Sequence, residues 1–188
     1  WHEGLAKMRH SMTGERYVGC PTWYPTRFAS GTSMREHFPE SDWPLTLSSY
    51  KSNLMSSTSI AASRLRQVHP HNPISLNRDD AARLGIANGD RIEVSTPGAR
   101  VQGVALVRGG IAQGAVAIEY GYGHKQLGAV AHTVDGKLTA HNPQHGQGVN
   151  LNSLGFADPT RPAKDNVWID WVSGAVVRQG LPVKVRRV

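Results

Sequence analysis

A single cysteine, Cys20, stands in 188 residues. One thiol makes no internal disulfide and cannot alone hold an iron–sulfur cluster or a structural zinc. Its neighbours Val18-Gly19 and Pro21-Thr22 predict a small packed side chain in a Pro-rich loop rather than a reactive group. No apolar run approaches the roughly 18 residues that a membrane span needs. Gly-x-Gly-x-x-Gly, a Walker loop, His-Glu-x-x-His and Gly-x-Ser-x-Gly are all missing. Nothing reads as a self-contained triad or carboxylate dyad, so the chain reads as a binding module and not as a complete enzyme. A basic segment followed by an apolar one, the pattern of a signal peptide, is missing too. With Trp1 rather than Met at its head, the chain is expected to be part of a longer polypeptide, with any targeting segment elsewhere.

Turn formers are abundant. Gly 20 and Pro 11, with 39% hydrophobic residues, favour a β-rich or irregular domain over a helical bundle. Twenty-one Lys and Arg against 14 Asp and Glu leave a net charge of +7, which suits an anionic partner. The basic residues are scattered, with short clusters only at Arg64/Arg66 and Lys184/Arg186/Arg187 and no interleaved aromatic platform, which argues against nucleic acid.

The chain divides near residue 42. Residues 1–42 are aromatic and Pro-broken, without clear periodicity, and Trp1, Trp23, Tyr24 and Phe28 are too many aromatics for a disordered tail. This arm is expected to pack on the following domain, 43–188, or on domains upstream. In the second part, strands are expected at Trp43–Tyr50, Asn72–Leu76, Arg91–Thr96, Val101–Val107, Ala115–Tyr120, Trp168–Trp171 and Leu181–Val185, with short helices at Ile60–Val68 and Arg78–Leu84. The stretch 125–164 is rich in Gly, His, Asn and Gln, and long irregular segments of this kind tend to be functional. The fold class is mainly β (α+β), a closed barrel of about six strands with short helices and long loops.

One unit is especially informative. Asn77 or Asp79 offers a cap to a helix whose start carries the acidic pair Asp79 and Asp80, Gly85 suits a left-handed end, Asn88-Gly89-Asp90 turns tightly, and Ile92 and Val94 alternate with polar residues. This helix–turn–Gly-Asp–strand pattern resembles the "GD box" of double-psi β-barrels.

Several loops carry groups able to bind a ligand. Ser48 to Ser59 gathers hydroxyls, an amide and Lys51, suited to ribose, pterin edges and phosphate oxygens, although Ser/Asn clusters are also ordinary solvated loops. His69-Pro70-His71 places two imidazoles at i and i+2. Pro70 and the lack of nearby Cys or Glu favour amide or phosphate contacts over a metal. Gly121-Tyr122-Gly123-His124 follows a buried strand and lets a ligand approach the backbone. Asn150 and Asn152 either read a ring edge together or form an Asx turn. His132, His141 and His145 are expected at the surface.

Four segments follow in a fixed order: Leu45 to Lys51 with its Ser-rich loop, Asn72 to Asp90, Gly110 to His124, and Gly148 to Leu154. Over residues 43–188 that order resembles the molybdopterin-dinucleotide-binding domain at the C-terminus of the dimethyl sulfoxide reductase family. Tyr50 to Ser57, Leu65 to Pro70, Asp158-Pro159-Thr160-Arg161 and Trp168 to Gly180 resemble the tetrathionate-reducing branch of that family.

The resemblance implies a double-psi barrel that closes over a bis-(molybdopterin guanine dinucleotide) carrying molybdenum. It implies cofactor contacts by Ser49, Tyr50, Lys51, Ser52, Asn53, Met55, Ser56, Ser57, His69, Tyr122, His124, Asn150 and Asn152, with Lys51, Arg64 or Arg66 near phosphates. No catalytic residue and no metal ligand is expected in this chain. The molybdenum ligand and a 4Fe-4S cluster belong to upstream domains, so this piece alone is expected to be inactive. Further implied are iron–sulfur electron-transfer and membrane-anchor subunits, a periplasmic location and reduction of tetrathionate to two thiosulfates. Alternatives are a polysulfide, thiosulfate or arsenate reductase, or a stand-alone barrel that binds proteins or nucleic acid. Gln113 stands where Pro-Gly is common in the family, and Cys20 sits in neither metal context.

Overall fold

Six strands close into a barrel because each offers side chains that only a shared core can accept. The structure is a computed structural model and describes residues 2–11, 14–56, 59, 62–126, 128–170 and 173–188. The strands are β1 (Leu45–Tyr50), β2 (Ile74–Leu76), β3 (Arg91–Ser95), β4 (Arg100–Val107) and β5 (Ala115–Glu119), then the small hairpin β6 (Thr133–Val134) and β7 (Lys137–Leu138), and last β8 (Leu181–Arg187). The barrel order is β1-β5-β2-β4-β3-β8. β1 and β5 run parallel, as do β2 and β4, and the other neighbours are antiparallel. This is the expected six-stranded closed barrel.

Among the described residues, four short helices decorate it: α1 (Glu3–Lys7), α2 (Met34–His37), α3 (Ser63–Val68) and α4 (Arg78–Arg83). The GD unit forms as read. Asn77 accepts from the Asp79 amide at 2.8 Å, Gly85 ends α4 in the left-handed region, and the Asp90 carboxylate accepts from the Ala87 amide at 2.8 Å. Asn88 accepts from the Val107 amide at 2.9 Å and so fastens this turn to the end of β4. Leu45, Leu47, Ile74, Leu76, Ile92, Val94, Val116, Ile118, Val183 and Val185 fill the barrel.

The arm behaves as two pieces. Its later part, up to Trp43, packs against the barrel's flank, where Phe28, Phe156 and Trp168 meet at ring distances of 4.7 and 4.9 Å and Phe38 joins Phe156 at 5.4 Å. Trp168 donates from Nε1 to the Arg27 carbonyl at 2.9 Å. Buried Asp158 completes this clasp, accepting from the amides of Ala29 and Thr160 at 2.8 Å each and from the Thr160 hydroxyl at 2.7 Å. The earlier part, with Asp170 and residues 176–179, instead lines a cleft of about 910 Å³, and Trp23 stands beside it 83% exposed.

Three local expectations are corrected. Trp168–Trp171 is no strand: Val167 and Ile169 make isolated bridges to Ala157 and Val176, because the Trp168 indole is spent in the aromatic clasp, and Trp171 lies outside the described residues. The helix expected from Ile60 begins at Ser63, and Ile60 and Ala61 are likewise outside the described residues. Cys20 is exposed on the outer part of the arm rather than packed.

Candidate functional site

β5 is apolar until its last residue. Glu119 ends the strand 2% exposed, and burying a carboxylate there is costly unless donors surround it. They do. His69 Nε2 lies 2.6 Å from one carboxylate oxygen, and the Ser52 hydroxyl donates to the other in a short hydrogen bond. The Glu119 carbonyl accepts from Asn72 Nδ2 at 2.7 Å. One residue thus gathers the loop after β1, the end of α3 and the segment leading to β2.

Ser52 also accepts from the amides of Leu54 and Met55 at 3.2 and 3.0 Å, so its hydroxyl shapes the loop and is fully used. Met55 is buried behind it. Ser56 is joined to Ser59 through its amide and hydroxyl. Asn72 reaches further: its amide donates to the Val149 carbonyl at 3.0 Å and its oxygen accepts from the Val149 amide at 2.6 Å. The segment around Gly148 is thereby pinned beside the loop around Gly123. Both glycines are required. At Gly123 (φ +65) a Cβ would overlap the Asn150 amide nitrogen, and at Gly148 (φ +88) it would overlap the Asn72 side-chain oxygen.

Arg66 supplies the positive charge of the cluster. It is buried, donates to the carbonyls of Gly121 and Gln144 at 3.2 Å each, and lies 4.9 Å above the Tyr122 ring. Among the described residues no carboxylate is within salt-bridge distance of it, and its Nε makes no hydrogen bond. Burial lowers its pKa, and Tyr122 partly offsets that. Tyr122 donates to the His69 carbonyl at 3.0 Å and packs edge-on against the His69 ring. Its phenol is held above its ordinary range, first by burial and then by the charge of Glu119, with Arg66 pulling the other way.

The expected contact residues therefore divide. Ser52, His69 and Tyr122 converge on Glu119 and Arg66, and Met55 is buried on the loop that Ser52 shapes. Lys51 and Asn53 are exposed on the same loop, and His124 is half-buried with Nε2 3.2 Å from the Gly121 carbonyl. Tyr50 closes the end of β1 through its carbonyl, which accepts from the Tyr120 amide at 2.8 Å. Ser49 is taken up by Gln179, which accepts from its amide at 2.7 Å and donates to its carbonyl and hydroxyl at 2.8 and 2.6 Å. Asn150 accepts from the Asn152 amide at 3.0 Å as an Asx turn, leaving its own amide group and the exposed Asn152 side chain pointing off the turn. Ser57 lies outside the described residues. His132 and His141 are exposed and His145 is half-buried. Of the cations expected near phosphates, Arg66 sits in the cluster, whereas Lys51 and Arg64 are solvent-facing.

Sequence reading passed over Glu119 and Asn72 and gave Gly148 no role of its own, although it singled out the turn that holds Gly123. Glu119 looked like the end of an apolar strand and Asn72 like the start of another. The one signal to be had was a carboxylate closing an otherwise apolar run.

Chemically, the cluster presents polar rims around a buried cation with an unmade donor and two backbone segments too close for any side chain. Its solvent-reaching polar groups, exposed Lys51 and Asn53 and half-buried His69 and His124, are of the kind that meets an anion.

Known proteins resemble this chain in sequence and in fold. Residues 45–167 match the family described as Molydopterin dinucleotide binding domain. The chain is 48% identical over all 188 residues to the A subunit of tetrathionate reductase from Salmonella typhimurium (strain LT2), covering 18% of that protein. It is 34% identical over 179 residues to the A subunit of tetrathionate reductase from Archaeoglobus fulgidus, covering 87% of this chain and 15% of that protein. The chain thus spans less than a fifth of the curated relatives it matches. Acetylene hydratase from Pelobacter acetylenicus shares the fold with a TM-score of 0.62 at 18% identity, over 92% of this chain and 22% of that one.

Proposed function

We propose, on the premise that the chain belongs to the molybdopterin dinucleotide binding domain family, that it is the cofactor-binding barrel of a tetrathionate reductase. The 48% identity along the whole chain to a protein of that name carries the choice of substrate. The cluster around Glu119 carries the choice of site. Its residues fit the ligand: exposed Lys51 and Asn53 and half-buried His69 and His124 offer polar groups to a phosphate-bearing molecule, above a buried Arg66 that adds positive charge.

In this reading Lys51, Asn53, Ser56, His69, His124, Asn150 and Asn152 form the rim that meets a molybdopterin guanine dinucleotide, and Ser52, Met55 and Tyr122 support it from beneath. When bound, the molybdenum cofactor supplies the two-electron chemistry that cleaves the central sulfur–sulfur bond of tetrathionate to give two thiosulfates. The chain's own residues bind and orient the dinucleotide and shield it from water. Molybdenum ligation and a 4Fe-4S cluster are assigned to upstream domains. Iron–sulfur electron-transfer and membrane-anchor subunits and a periplasmic location complete the proposal. The 910 Å³ cleft beside Trp23 is assigned to contact with those upstream domains. The chain alone then binds an environment-sensitive apolar dye, and the full-length protein does not. Equal dye binding by both removes that assignment.

The test of function is the full-length gene product, purified from an oxygen-limited host. Bound molybdenum together with tetrathionate-dependent oxidation of reduced viologen is the expected result. Molybdenum without that turnover moves the substrate to polysulfide, thiosulfate or arsenate. Absence of both metal and guanine nucleotide overturns the cofactor reading and leaves a protein-interaction barrel.

A further inference from the structure

Unlike the rim residues named above, Glu119 reaches no surface, yet three ligand-facing segments end on it. Ser52 and His69 are 17 positions apart in sequence and meet only through its carboxylate. The His69 ring keeps 30% exposure, and its Nδ1 makes no hydrogen bond to a described residue. Two orders of protonation are possible at a 2.6 Å contact between an imidazole and a carboxyl group. Either the imidazole carries the proton on Nε2, or a carboxylic acid donates to a bare Nε2. The surroundings decide. The other carboxylate oxygen already receives the Ser52 hydroxyl, whose two acceptor positions are filled by the Leu54 and Met55 amides, so Ser52 has only a donor to offer. Between a free imidazole and a free carboxylate the imidazole is the stronger base, and the Ser52 donation favours the anion further. The proton therefore sits on His69 Nε2.

We propose that Glu119 is the positioning residue of the cofactor rim: it pins the Nε2–H of His69, leaves Nδ1 as the nitrogen that meets the ligand, and fixes the 51–56 loop through Ser52. A carboxylate behind a ligand-binding imidazole sets ring orientation and tautomer in this manner. The link to a cofactor rests on the function proposed above, whereas the geometry of the pin does not.

The test uses two readouts that need no cofactor. Nitrogen-15 spectra of the histidine-labelled chain report which His69 nitrogen is protonated, and hydrogen exchange reports the Leu54 and Met55 amides. In the wild type, Nε2 is expected to carry the proton. Glu119→Ala releases the ring to a mixture of forms and speeds exchange at both amides by about tenfold, the loss of roughly one hydrogen bond's worth of protection. Glu119→Gln keeps an acceptor for Nε2–H and restores the ring state at least in part. Ser52→Ala is the control, expected to speed the two amides while leaving His69 unchanged, and the wild-type ring state keeps the test decisive if Glu119→Ala does not fold. A bare Nε2 in the wild type, or an unchanged ring state and unchanged amide exchange in Glu119→Ala, overturns the proposal. A third readout, guanine nucleotide released per full-length molecule, separates the two layers. If Glu119→Ala shows the expected spectra but retains full nucleotide, the pin stands and the cofactor rim must lie elsewhere.

Discussion

Asp158 and Glu119 are both 2% exposed, and they hold different kinds of structure together. Asp158 accepts from two backbone amides and from a hydroxyl two residues away, and it joins the arm to the barrel's flank alongside Phe28, Phe156 and Trp168. Glu119 accepts from side chains that arrive on separate segments, and it sits among glycines that bring backbones into contact. The first fastens main chain to main chain and has no donor to spare. The second arranges side chains around a space. The carboxylate with backbone donors thus belongs to the scaffold, and the one with side-chain donors from several segments belongs to the site proposed above, beside an arginine with an unmade donor.

That contrast can be broken by experiment. The largest effect is expected from Gly123→Ala, which places a Cβ on the Asn150 amide at a φ of +65. A loss of about 3 kcal/mol or more in chemical denaturation is expected, because both backbones must shift. A near-neutral result would mean that the two loops are not held together as described. Asn72→Ala removes three hydrogen bonds inside the cluster and should cost about 3 kcal/mol in the same assay. It should also lower the nucleotide content of the full-length protein.

Asp158→Asn sharpens the comparison from the other side. Exchanging a charged acceptor for a neutral one should cost about 1–2 kcal/mol and leave nucleotide content per folded molecule unchanged. Loss of nucleotide here would merge the two regions into one functional unit.

The smallest effect belongs to a pair distant from both. Glu93 is held below the usual carboxylate range, first by its hydrogen bond to Arg186 at 2.9 Å, against the cost of burial. A carboxylate lowered in the folded state adds stability above its unfolded pKa and loses it as pH falls through the folded one. The gap in melting temperature between wild type and Glu93→Gln should therefore be present near neutral pH and close once the pH has fallen below the ordinary carboxylate range. A gap that widens on acidification would reverse the assignment.

The barrel was legible because its signals are local. Alternation in Ile92 and Val94, the Asn77 cap and the left-handed glycines 85 and 89 each lie within a few residues of what they control. The polar, hydroxyl-rich loop after β1 and the glycine-hinged turn after β5 were legible as loops for the same reason. The organising residues were not. Asn72 acts on Val149 across 77 positions and Arg66 on Gln144 across 78, and no periodicity carries a pairing of that range. Ser49 reads as a contact residue in sequence, yet Gln179, 130 positions away, claims its backbone and hydroxyl. Trp168 reads as strand because its neighbours alternate, but one indole seated among Phe28 and Phe156 outweighs that pattern.

The strand order has a kinetic side. β3 and β4 are the one pair among the described barrel strands that are also neighbours in sequence, and Leu45 of β1 must find Val183 of β8. Loop closure over such distances has to be completed before the pairings reward it, which places folding in the slow regime of milliseconds to seconds. The loops that surround Glu119 emerge from β1, β2 and β5, which pair only with partners far along the chain or with one another. On that ground the rim is expected to be among the last parts to be ordered, which hydrogen-exchange labelling during refolding would show as late protection of the Leu54 and Met55 amides.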